Sequence, residues 1–251
     1  MSRFKSFDGV EIYYQTWARK SALPPVVLHH GYVANMRVNW VVPGMVRRLN
    51  LAGRSVIALD ARGHGRSGKP HNPAAYGESR MAMDVSCLLD QLGLEEVDLV
   101  GYSMGGTVAL ITATQEKRIR RVIASGIGGA TLHLENRYRK GANKALADAM
   151  LGSRWRIRNP TLAGFRLLAE MVWADRKAMA AQALAFHSKR IPLERITAPT
   201  LILAGDNDPF ALQPGKLQKA IRGAQLKLVP GDHTTVLVKP SFQNAIVDFL
   251  R

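Results

Sequence analysis

Apolar residues recur along this chain in two alternating rhythms. Short β-branched runs (Val26 to Tyr32, Ser55 to Asp60, Val97 to Tyr102, Arg121 to Gly126, Thr200 to Gly205, Ala224 to Val229) are separated by stretches in which apolar positions return at helical spacing. The helical stretches are Met45 to Leu51, closed by Gly53; Ser79 to Leu92, with Ser79 as cap and Gly93 as stop; Gly105 to Gln115; Leu212 to Ala220; and Pro240 to Leu250. Near the start, Phe4 to Phe7 and Val10 to Trp17 read as two antiparallel strands joined at Asp8-Gly9. Asn35, Asn39 and Pro43 predict a loop after the Val26 run. Strands alternating with helices predict an α/β fold, a mostly parallel sheet covered on both faces.

From Gly128 to about Ala198 the β signal stops. Leu162, Phe165, Leu168, Ala169 and Val172 mark one amphipathic helix there, and Met179, Ala183 and Phe186 another. Both ends of this stretch return to strands, so it reads as a helical lid, residues 130–198, inserted in a core of residues 1–129 and 199–251. A chain of 251 residues fits one large domain carrying such an insertion. No repeat or low-complexity tract interrupts the pattern.

Composition changes this picture little. The 47% hydrophobic content is that of a globular protein, and no run approaches the length of a membrane span. The first residues, Met1 to Gly9, lack an apolar signal core, so a cytoplasmic location is expected. Cys87 is the single cysteine, which excludes an internal disulfide. The net charge of +16 is the unusual number. Basic residues are scattered, without an aromatic-interleaved groove or a helix-turn-helix pattern, so no specific nucleic-acid partner is expected. The 130–198 segment holds 13 Lys and Arg against 5 Asp and Glu, half of the net charge. A solvated outer face is favoured as its explanation over attraction of an anionic substrate or surface.

The chemistry gathers at Gly101-Tyr102-Ser103-Met104-Gly105. The pattern Gly-x-Ser-x-Gly, between an apolar strand and an Ala-containing helix, lifts a serine hydroxyl out of the sheet on a strained turn. The N–H of Met104 then lies at the positive end of the following helix, a place for an oxyanion. A serine needs a base, and the base an orienting acid. Of seven histidines, His233 follows the last predicted strand at the same carboxyl edge of the sheet as Ser103. His64, between glycines, suits a structural hydrogen bond, and His29 suits packing. Gly205-Asp206-Asn207-Asp208 offers two carboxylates. Asp206 suits the turn at the strand exit, leaving Asp208 as the acid. Gly31 allows close backbone approach, which makes the N–H of Tyr32 the second oxyanion donor. Trp155, Trp173 and Phe210 are candidates for an apolar pocket, with plain core packing as the alternative. No metal or cofactor is called for.

With His30-Gly31-Tyr32, the Asp60 to Ser67 turn, the Ser103 elbow, Gly205 to Asp208 and Gly231-Asp232-His233 in this order, the chain resembles the α/β-hydrolase superfamily over essentially its whole length. The resemblance implies an eight-stranded sheet with a helical cap between the sixth and seventh strands. Within the superfamily the chain looks most like the carboxylesterase, enol-lactonase and perhydrolase group. The resemblance implies a serine hydrolase acting on a small or medium acyl ester through Ser103, His233 and Asp208. Hydrolysis of an enol-lactone or a carbon–carbon bond, and a ligand-binding protein with slow turnover, are the alternatives. Haloalkane dehalogenases and epoxide hydrolases carry an aspartate where this chain has Ser103.

Overall fold

The computed structural model describes residues 2–134 and 138–251. Its strands are β1 (Ser2–Lys5), β2 (Glu11–Trp17), β3 (Val26–His29), β4 (Val56–Leu59), β5 (Val97–Tyr102), β6 (Ile119–Ser125), β7 (Thr200–Gly205) and β8 (Gln225–Val229). They form one sheet in the order β1-β2-β4-β3-β5-β6-β7-β8. β1 and β2 pair antiparallel, β2 meets β4 antiparallel, and every later pairing is parallel. The α/β-hydrolase fold with its mostly parallel eight-stranded sheet is therefore present.

The helices are α1 (Met45–Leu51), α2 (Glu78–Leu92), α3 (Met104–Ala113), α4 (Tyr138–Leu151), α5 (Pro160–Met171), α6 (Arg176–Leu184), α7 (Pro214–Lys219) and α8 (Pro240–Phe249). Successive strand side chains point to opposite faces, and here both faces are apolar because both are covered. Val27, Ile57 and Leu99 join a core with α2 and α3, whereas Val26, Leu28, Val56 and Val100 join a second core with α1 and α8. α3 is buried along its whole length, which explains why it has no polar face. Asp98, fully buried in β5, is held by the guanidinium groups of Arg54 and Arg120.

Three details depart from the sequence reading. Arg37–Val41 form a wide helical turn, closed by the Val42 N–H on the Arg37 carbonyl at 2.8 Å, where a loop is expected. Buried Trp40 and Asn39 hold that turn, a tertiary cause that periodicity does not carry. Ser79 does not cap α2; Gly77 occupies the cap position, and Ser79 Oγ instead lies 3.0 Å from Nδ1 of His187. The seventh helix begins at Pro214, not Leu212, because Pro fits a first helical turn.

Candidate active site

β5 and α3 meet at Ser103, whose φ of 55° and ψ of −116° lie outside the regions open to ordinary residues. The flanking glycines explain how this turn closes. A Cβ on Gly101 would stand 1.9 Å from the carbonyl oxygen of Gly105, and one on Gly105 would stand 2.2 Å from the His29 carbonyl oxygen. Backbone oxygens cannot retreat as side-chain ends can. Gly105→Ala is accordingly expected to destabilise the fold by about 3 kcal/mol or to prevent it from forming, read by urea unfolding.

The structure brings Ser103, His233 and Asp208 into one line. His233 follows β8, and its Nε2 lies 3.0 Å from Ser103 Oγ. Its Nδ1 lies 2.9 and 2.8 Å from the two oxygens of Asp208. Nδ1 thus carries the proton, which leaves Nε2 free to accept from the serine hydroxyl. Asp208 is 3% exposed and also accepts from the Phe210 N–H at 2.8 Å, so its carboxylate is fixed from two sides. Asp206 takes a different part, accepting from the Gly231 N–H at 3.0 Å and thereby tying the acid loop to the histidine loop. Asp232 Oδ1 accepts from Thr234 and Thr235. The N–H groups of Thr235 and Thr234 hold its carboxyl well below the usual carboxylate range.

The Tyr32 and Met104 amides donate to no protein acceptor among the described residues. The loop bearing Tyr32 is held rigidly. Gly31 N–H donates to Asn39 Oδ1 at 2.8 Å, and Val33 N–H to His64 Nε2 at 3.1 Å. Val33 sits at φ 66°, a costly place for a β-branched residue, so the His64 bond holds a strained backbone beside the site. Tyr32 itself donates its hydroxyl to the Met179 carbonyl of α6 at 2.8 Å. Asn39 is the site residue that sequence reasoning missed; its only signal was a polar side chain between Val38 and Trp40.

In front of Ser103 opens a pocket of about 510 Å³, a size that takes a small organic ligand. Val38, Val42, Phe165, Leu168, Phe210 and Leu237 give it apolar walls, and among the described residues no Asp, Glu, Lys or Arg lines it. Phe210 packs on His233 at 4.6 Å between ring centroids, and Phe165 on Phe210 at 5.7 Å. Phe210 is thus part of the pocket. Trp155 and Trp173 line neither this pocket nor the core, at 83% and 91% exposure. Phe165 and Leu168 of α5 stand where those tryptophans were expected. Tyr102 donates its hydroxyl to the His233 carbonyl oxygen and lays its ring 5.1 Å from the imidazole. Among the described residues, no cluster of three or more His, Cys, Asp or Glu side chains could hold a metal ion.

A family model described as alpha/beta hydrolase fold matches residues 24–185. The mouse protein named sn-1-specific diacylglycerol lipase ABHD11 is 31% identical, over 92% of this chain and 82% of its own. An esterase from Exiguobacterium antarcticum has a TM-score of 0.81 at 25% identity, over 99% of this chain and 98% of its own. The enol-lactonase from Burkholderia xenovorans LB400 has a TM-score of 0.76 at 26% identity, over 99% of both chains. Sheet order, elbow and family match agree along the chain, and it belongs to the α/β-hydrolase fold family.

Proposed function

We propose that this protein is a serine esterase that hydrolyses an uncharged carboxylic ester through an acyl-enzyme on Ser103. The observation that carries the reading is the 3.0 Å contact between Ser103 Oγ and an imidazole whose other nitrogen faces both oxygens of a buried carboxylate. In this reading His233 Nε2 takes the serine proton as Oγ attacks the ester carbonyl. The carbonyl oxygen gains charge and accepts hydrogen bonds from the Tyr32 and Met104 amides, fixed before the substrate arrives. Asp208 stabilises the imidazolium. His233 then gives its proton to the leaving alcohol, and water repeats the sequence on the acyl-enzyme.

Residues 130–198 act in this reading as a lid over the core of residues 1–129 and 199–251. The supporting contact is α5, which supplies Phe165 and Leu168 to the pocket wall. The names of the mouse lipase and of the Exiguobacterium esterase both concern ester cleavage, which agrees with this chemistry. An enol-lactone is the second reading, favoured by the likeness to the Burkholderia enzyme; the acyl transfer is the same, with the leaving oxygen still tethered.

Labelling with a fluorophosphonate tests the nucleophile. One adduct per chain is expected, on Ser103; no adduct, or one elsewhere, sinks the proposal. The apolar lining sets a further expectation. A p-nitrophenyl ester of butyric acid should exceed its succinic acid analogue in kcat/KM by about tenfold or more, since among the described residues no Lys or Arg lines the pocket to receive the carboxylate. Comparable values for the two esters would contradict the uncharged-substrate assignment.

A further inference from the structure

The helical segment between β6 and β7 carries apolar surface on its outside, where a cap is ordinarily polar. Along α5, Pro160, Gly164, Leu167 and Met171 recur at i, i+4, i+7 and i+11 and are all exposed. This face bears no charge. Leu167 is 54% and Met171 69% exposed. Trp155 shares a shallow depression of about 220 Å³ with Ile157, Ala163 and Leu167, which the bridged Arg154, Glu170 and Arg166 also line, so the tryptophan and the helix face adjoin across one depression. Just past α5, Trp173 stands 91% exposed at φ 53°, a position where glycine is the usual occupant.

Cations outnumber acids around this patch, where Glu170 is bridged to both Arg154 and Arg166. Arg154, Trp155, Arg156, Ile157 and Arg158 alternate cation and apolar residue. Arg154 is bridged to Glu170 and lies 4.4 Å above the Trp155 ring, but Arg156 and Arg158 have no acidic partner among the described residues. Arg176 and Lys177 follow at the start of α6, also exposed and without an acidic partner among the described residues. Aromatic and aliphatic side chains flanked along the chain by Arg156, Arg158, Arg176 and Lys177, which lack an acidic partner among the described residues, match the acyl and headgroup layers of an anionic bilayer.

We infer that this face, Trp155, Leu167, Met171 and Trp173 with their flanking cations, docks the protein on an anionic lipid surface. α5 lies in the plane of the interface, with its apolar stripe at the acyl boundary. Gly164 is exposed on that stripe and also lines the pocket in front of Ser103, so docking brings the pocket wall to the lipid. That last link, entry of substrate from the membrane, rests on the esterase reading; docking itself does not.

Cosedimentation of the full chain with vesicles tests it. Binding to phosphatidylcholine containing phosphatidylglycerol is expected to exceed binding to pure phosphatidylcholine by about tenfold or more and to fall with added salt. Trp155→Ala with Trp173→Ala should remove most of it, and Arg156→Ala with Arg158→Ala should remove the anionic preference. Both pairs should keep the wild-type kcat/KM on soluble p-nitrophenyl butyrate, which shows them folded. Ser103→Ala should bind vesicles as the wild type does, so inactivity and failure to dock are told apart. Absence of vesicle binding, or binding unchanged by both pairs, would overturn the inference. So would a dimer in analytical ultracentrifugation that the tryptophan pair dissolves, since the patch would then be covered by a second copy.

Discussion

Ser103→Ala should lower kcat/KM for p-nitrophenyl butyrate by about 10⁴-fold or more, a loss of about 5 kcal/mol of transition-state stabilisation. The substitution removes one oxygen and leaves the rest of the site in place. His233 keeps both oxygens of Asp208 within 2.9 Å of Nδ1. Alanine adopts the strained backbone no more readily than serine, so the melting temperature should shift by only a few degrees. Asp208→Asn separates orientation from nucleophilicity. An amide can donate to Nδ1, which would place the imidazole proton on Nε2, facing the serine, and a loss of about 10³–10⁴-fold is expected with KM little changed. Activity of Ser103→Ala within tenfold of wild type would remove the acyl-enzyme reading.

Acid is expected to unfold this protein through histidines that the reaction does not use. His29, His30 and His64 are buried beside one another, with the His30 and His64 rings 5.1 Å apart. Burial pushes His29 down to about 3 and His30 down to about 4, and holds His64 well below its ordinary value. Hydrogen-bond polarity points the same way. His30 Nε2 accepts from the Ala61 N–H and His64 Nε2 from the Val33 N–H, so an added proton would set donor against donor.

Folded-state values below 6.5 mean that the unfolded chain takes up protons that the folded chain refuses. Stability from these groups is complete above pH 6.5 and drains as pH falls towards 4. At pH 5 His29 and His30 each cost about 2 kcal/mol relative to pH 7.5, and His64 adds to the loss in the same direction, a large part of the stability of an ordinary domain. Urea midpoints at the two pH values measure this. His64→Gln should be less stable at neutral pH but lose less on acidification than the wild type. An unchanged difference between the two pH values in that variant would remove His64 from the account.

These histidines also show which parts of the molecule the sequence made legible. His64 between two glycines read as structural, and it is; the strain it holds at Val33, thirty-one positions away, had no local sign. The elbow was legible because its glycines answer to clashes within a few residues. Asp208 could be preferred over Asp206 because one carboxylate sits at the strand exit and the other beyond it; the Asp206 bond to Gly231 depends on β7 and β8 being neighbours. The pocket walls were the least legible part. Phe165 and Leu168 read as an amphipathic helix either way, and which face met the serine depended on how α5 docks. Trp155 and Trp173, candidates for the pocket with core packing as the alternative, both lie outside.

The sheet order has a consequence for how the protein is made. The nucleophile strand, β5, lies mid-sheet, whereas His233 and Asp208 follow the last two strands on one side. Ser103 therefore leaves the ribosome 130 residues ahead of the imidazole that it meets. At a synthesis rate of about 10 residues per second, the serine spends more than ten seconds without its base. During that time β3, β4, β5 and their helices can assemble while the hydroxyl stays unreactive. On the proposed triad, the serine meets its base only once the final strand is laid against β7.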